Sequence, residues 1–137
     1  MPVERALIDL EHGPLIRVLL SPHSSRPHSD PVEGWALIDT GAKASGVHAA
    51  LATHALGWQV KGAVELHTPG TTSEAVPIYD GGFKLIKDGS LVDMDLVGLN
   101  LGYRAGDADV ILILGRDFLQ DKTFSYDGRK SEWTLHW

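Results

Sequence analysis

The chain of 137 residues contains no cysteine, which excludes disulfides, thiolate nucleophiles and zinc–thiolate sites. It also lacks an apolar run long enough to span a bilayer, so no membrane partner is expected. Basic residues are the minority, 12 Lys and Arg against 18 Asp and Glu. With no dense basic stripe either, nucleic acid is not expected as a partner. Glu4, Arg5, Asp9 and Glu11 interrupt the start of the chain where a signal peptide would be apolar, which makes a cytoplasmic location the expectation.

The remaining composition is that of an ordinary soluble domain. The length suits one core and one domain over residues 1–137. Fifteen glycines and seven prolines favour short strands and turns over long helices. Residues 3–10 and 14–20 read as strands joined by a turn at Gly13-Pro14. Residues 21–34, with three prolines and several serines, read as a mobile loop. A short buried strand follows over 35–39, then a helix over 45–56 capped by Ser45 and ended by Gly57. Residues 58–67 and 71–79 alternate about Thr68-Pro69-Gly70 and predict a hairpin. Residues 83–87 and 91–99 read as a strand pair, and 103–109 as a loop. The continuous apolar run Val110–Leu114 predicts a strand buried on both faces. A short helix over 116–120 and a closing hairpin over 122–137 complete a mostly β chain.

One segment leads directly to chemistry. In Ala36-Leu37-Ile38-Asp39-Thr40-Gly41-Ala42 an apolar strand ends on a carboxylate and turns at once through glycine. Asp39 is thereby placed at the lip of a core, where desolvation and a like charge could tune its proton affinity. Read more plainly, Asp and Gly are common turn residues, and Asp39 or Thr40 could cap a following helix. The run Ile111-Leu112-Ile113-Leu114-Gly115-Arg116 echoes the first, again passing from apolar strand to glycine turn and towards a helix. Other candidates are weaker. His48 and His54 are spaced too unfavourably to share a helical face, no acid–His spacing suggests a metal, and no glycine-rich turn leads into a Lys-Ser/Thr pair. Asp93 and Asp95 alternate with Val92, Met94 and Leu96 and read as the wet face of a strand.

With these two glycine-turn motifs in this order, and a hairpin between them, the chain resembles the retropepsin-like aspartic proteases from about residue 14 to its end. That resemblance implies an all-β, closed acid-protease-type barrel with a flap hairpin and one or two short helices, working as a homodimer without a cofactor. It implies Asp39 as the catalytic carboxylate and Thr40 as a hydroxyl bonding across the subunit interface beneath it. Gly41 would admit the substrate backbone and Ala42 would lie on the floor. Pro69, Gly70, Thr71 and Thr72 would form the flap, with Gly115 and Arg116 as structural residues. The sequence departs from the family where Lys43 replaces an acid that often pairs with the arginine. Arg116 then needs another partner, Asp117 or a carboxylate elsewhere.

Aspartic proteolysis requires two carboxylates sharing one proton. This chain carries one Asp-Thr-Gly, and Leu114 stands where a second acid would be. The second carboxylate is therefore expected from another copy, across a two-fold axis. The tail hairpin is a candidate dimer interface. Its alternating Trp133, Leu135 and Trp137 would face either the partner or this chain's own core. The expected partner is a protein or peptide substrate, with apolar residues such as Val76, Ile78 and Leu112 flanking the cut. The alternative is a non-catalytic module of the same fold that grips an extended peptide by strand addition.

Overall fold

The structure is a computed structural model that describes residues 3–7 (backbone only), 13–66, 73–87 and 89–136. Its strands are β1 (Val3–Leu7), β2 (Leu15–Leu20), β3 (Val32–Ile38), β4 (Gly46–His48), β5 (Val60–Leu66), β6 (Glu74–Leu85), β7 (Leu91–Leu99), β8 (Arg104–Ala105), β9 (Ala108–Leu114), β10 (Thr123–Asp127) and β11 (Glu132–His136). A π-helical turn covers Leu51–Ala55, and one short helix, α1, covers Arg116–Leu119. Hydrogen-bonded neighbours run β2-β3-β9-β4-β7-β6, and β6 pairs back onto β2, so these six strands close a barrel. Closure leaves no free edge among them. β5 extends β6 as a hairpin arm, and β1, β11 and β10 form a separate three-stranded sheet. Among the described residues no helix is long and apolar enough to cross a membrane.

Within the barrel, β3 and β9 lie side by side in parallel, with Ile38 opposite Leu114. Both are central strands. Val110, Ile111, Leu112 and Leu114 are buried, as an apolar run with neighbours on both faces requires. The burial of Leu112 removes it from the expected apolar walls of a substrate cleft. β4 fits between β9 and β7, antiparallel to the first and parallel to the second.

Several sequence expectations shift. The helix expected over 45–56 begins only after β4, because Gly46 and Val47 are captured by strand partners on both sides. Ser45 caps nothing helical and is fully buried. The loop expected over 21–34 ends earlier, since β3 already starts at Val32. It is fastened by the His23 N–H to the Leu56 carbonyl (2.9 Å) and by the Arg26 guanidinium to the His54 carbonyl (2.7 Å). The strands expected over 71–79 and 83–87 are one twelve-residue strand, β6. Gly81 does not interrupt it. A Cβ there would stand 2.8 Å from the Trp58 ring, so the glycine makes room for that indole, whose N–H donates to the Ser21 carbonyl at 2.7 Å. The loop expected over 103–109 is instead the β8–β9 hairpin. Its turn residue Asp107 is gripped by Arg17, which also bonds Glu33 and stacks on Trp35.

The closing hairpin forms as expected, but β11 is its centre, paired with β10 on one side and β1 on the other. Trp133 and Leu135 are fully buried and belong to the same apolar cluster as Ile16, Val18, Leu112 and Phe118 of the barrel side. Of the two fates open to these side chains, burial within this chain is the one realised; Trp137 lies outside the described residues. Trp133→Ala is therefore expected to destabilise the folded chain by about 3–5 kcal/mol, read as a lowered midpoint in urea unfolding at matched protein concentration.

Candidate active site

Parallel pairing of β3 with β9 brings their C-terminal ends to one edge of the barrel, and with them the two glycine turns. The Asp39 N–H donates to the Leu114 carbonyl at 2.9 Å, continuing the ladder one residue past β3. The chain then turns tightly. Asp39 Oδ1 accepts the Gly41 N–H at 2.9 Å, and the Asp39 carbonyl accepts the Ala42 N–H at 3.2 Å. This is the side-chain turn that Asp favours, and it fixes the carboxylate plane. A Cβ on Gly41 would sit 3.2 Å from Oδ1, so the glycine is needed for the carboxylate to fold back onto the turn. Asp39 is half-buried while Thr40 and Gly41 are exposed. Its Oδ2 accepts no hydrogen bond from the described residues. The site thus offers one braced oxygen and one open one, at a solvent-facing lip.

The second glycine turn locks against the first. A Cβ at Gly115 would lie 2.6 Å from the Ala42 carbonyl oxygen and 3.1 Å from that of Ala44, so only glycine lets the two turns meet. The Arg116 N–H donates to the Ala42 carbonyl at 2.8 Å, and the Arg116 guanidinium donates to the Thr40 carbonyl at 3.0 Å. Arg116 therefore pairs with backbone, and among the described residues no other carboxylate replaces the acid absent at Lys43.

Asp117 is used elsewhere. It accepts the Ser45 hydroxyl at 2.6 Å, the Ser45 N–H at 3.0 Å and the Phe118 N–H at 2.8 Å. The Ser45 oxygen in turn accepts the Gly115 N–H at 2.9 Å. A buried hydroxyl satisfied as donor and acceptor ties the exit of the first turn to the entry of α1. Sequence reading missed this brace. Its two ends are far apart in the chain, and Ser45 looked like a helix cap.

A third segment comes within electrostatic reach of the site. Tyr103, between β7 and β8, is 43% exposed. Partial burial, and secondarily the negative charge of Asp39, hold its phenol above the usual tyrosine range. Its ring is therefore within electrostatic reach of the carboxylate. The β5–β6 hairpin pairs from Val60 opposite Tyr79 to Leu66 opposite Glu74. The expected flap residues Pro69, Gly70, Thr71 and Thr72 lie outside the described residues. Of the other expected site residues, Asp39, Thr40, Gly41, Ala42, Gly115 and Arg116 come together. Val76 lines an open cavity of about 330 Å³ between the hairpin base, β4 and the end of β7. Among the described residues no group of three or more His, Asp or Glu side chains is placed to hold a metal.

A closed barrel carrying an Asp-Thr-Gly turn beside a second glycine turn is an aspartic-protease-type fold. No family model and no curated protein matches the sequence. Among solved structures, the chain is similar to the aspartic proteinase from Irpex lacteus, with a TM-score of 0.50 at 17% identity. The match covers 99% of this chain and 47% of that one, so this chain spans about half the length of its structural neighbour. At that identity the likeness bears on the fold.

Ser45→Ala would strip the Gly115 N–H of its acceptor and Asp117 of its shortest donor. It is expected to lower stability by about 1–3 kcal/mol, measurable by chemical denaturation, whereas Ser45→Thr should recover part of the loss.

Proposed function

We propose that the chain is a retropepsin-like aspartic endopeptidase whose active form is a homodimer with Asp39 from each copy. The observation that carries the reading is the Asp39 turn itself. Its carboxylate is oriented by the Gly41 N–H, on a turn seated against Gly115, and no described residue engages its second oxygen at an open lip. An isolated turn aspartate needs no such support from a second strand–turn unit 70-odd residues away. The aspartic-protease-type barrel adds to it.

The chemistry follows from two such carboxylates in contact. Like charges at that distance cannot both ionise cheaply, so the pair retains one proton and titrates as a unit. The ionised member takes a proton from a water held between the two, and the oxygen of that water attacks the scissile carbonyl carbon. The protonated member gives its proton to the carbonyl oxygen. In the second half, the carbon–nitrogen bond breaks as the first carboxyl protonates the departing amine. One hydroxyl of the intermediate returns its proton to the other carboxylate, restoring the starting state. Thr40, exposed beside Asp39, would supply the hydroxyl that bonds across the dimer axis. The β5–β6 hairpin would serve as the flap, with a peptide substrate lying between it and the Asp39 turn.

Asp39→Asn should leave the fold and the association state unchanged and abolish cleavage of a peptide library, with wild-type activity greatest in mild acid. Equal cleavage by the variant would remove the assignment, and binding of peptides without cleavage by either protein would favour a non-catalytic module. Sedimentation of the wild type should give a dimer at the concentrations where it is active.

A further inference from the structure

His48 closes β4 opposite Leu99 of β7. Its ring reaches past that register to the following loop, where the Leu101 N–H donates to His48 Nδ1 at 3.0 Å. A ring nitrogen accepts a hydrogen bond only through its lone pair, so the imidazole is neutral with its proton on Nε2. The loop then passes directly over the ring. Gly102 has φ +96°, and a Cβ there would be 3.2 Å from Nε2. Two backbone bonds between the Gly102–Tyr103 segment and Val110 complete the strap, Gly102 N–H to the Val110 carbonyl (3.1 Å) and Val110 N–H to the Tyr103 carbonyl (2.7 Å). The next residues are already anchored, because the Trp35 indole donates to the Ala105 carbonyl and Arg17 holds Asp107. On the β7 side, the described residues fasten the loop through His48.

We propose that His48 is a positioning residue of the site: its neutral ring helps hold the 101–103 loop, and with it Tyr103, within electrostatic reach of Asp39, and a proton on Nδ1 removes that hold. Protonation turns an acceptor into a donor aimed at a backbone N–H, so the bond is replaced by repulsion. The surroundings can accommodate the resulting charge. Glu74 of β6 is the charged residue among those lining the cavity that His48 shares with Val76 and Leu99. β9 presents no titratable group there, since Leu112 lies opposite Val47. His54 on the π-helical turn is exposed, Asp117 beyond Ser45 is engaged by that serine, and Lys43 is exposed on the site turn. Arg104 follows Tyr103 and donates to the Asp107 carbonyl. The rim is thus ordered with the ring neutral and loosened when Nδ1 carries a proton. This deepens the endopeptidase reading and rests on it only for the meaning of the rim.

The test is an NMR titration of the full chain over about pH 5 to 8, the range in which imidazoles change charge. The His48 ring resonances report protonation, and the Leu101 amide reports the bond. Corrected for intrinsic exchange, protection of the Leu101 amide should be up to about tenfold greater with the ring neutral, the scale of one hydrogen bond. His48→Asn, whose Oδ1 can accept the same N–H but does not titrate, should give protection independent of pH. His48→Phe should lose protection throughout. In peptide cleavage, the wild-type KM should rise severalfold in acid relative to His48→Asn, with kcat following the same profile in both. A Leu101 amide indifferent to His48 protonation would overturn the proposal, and the wild-type titration alone decides this should His48→Phe fail to fold. If no peptide is cleaved while the amide follows the ring, the latch stands and the endopeptidase reading falls.

Discussion

The hydrogen bond from the Asp39 N–H to the Leu114 carbonyl is a small interaction with large consequences for this chain. It extends the parallel β3–β9 ladder by one residue, at the point where both strands stop being strands. From there each chain must turn, and the two turns have only each other to pack against. The absence of a side chain at Gly115, the contact with the Ala42 carbonyl and the reach of Arg116 to Thr40 all follow from that register. A slip of one residue would put Asp39 on the opposite face. The candidate chemistry is therefore a property of strand pairing before it is a property of an aspartate.

Closure of the barrel enforces the register. β3 and β9 are interior strands of a ring of six, so neither can slide without breaking pairs on its other side. Ser45 and Asp117 add a second constraint, fastening the segment after the first turn to the helix after the second. Such a network is valuable only when complete, since each buried polar group left alone is costly. Here the Ser45 hydroxyl is satisfied in both its roles.

Local signals made part of this visible in the sequence alone. The run from Ala36 to Gly41 is apolar, then acidic, then turn-forming, and the Val110–Leu114 run is consistent with a strand buried on both faces. The closing hairpin was legible for the same reason, its alternation being strong and its turn being Asp-Gly. What stayed hidden depended on partners distant in sequence. Gly46 and Val47 look helical in isolation and become a strand because β7 and β9 capture them. Gly81 looks like a break until Trp58 is laid over it. Arg116 seemed to require a carboxylate, whereas a backbone carbonyl on the turn after the neighbouring strand met the need. The brace between Ser45 and Asp117, and the hold of His48 on Leu101, have no local signature whatever.

The burial of Trp133 and Leu135 within their own chain also bears on how two copies would meet. An apolar tail shared between subunits would make folding and association one event. Here those side chains are already covered, and β11 has a neighbour on each edge. If the active form is a dimer, each copy would thus be complete as a folded body while remaining half a catalyst. On the proposed reading, activity in dilute solution would rise with the square of the chain's concentration. Dilution itself would then be the off-state, with no inhibitory segment required.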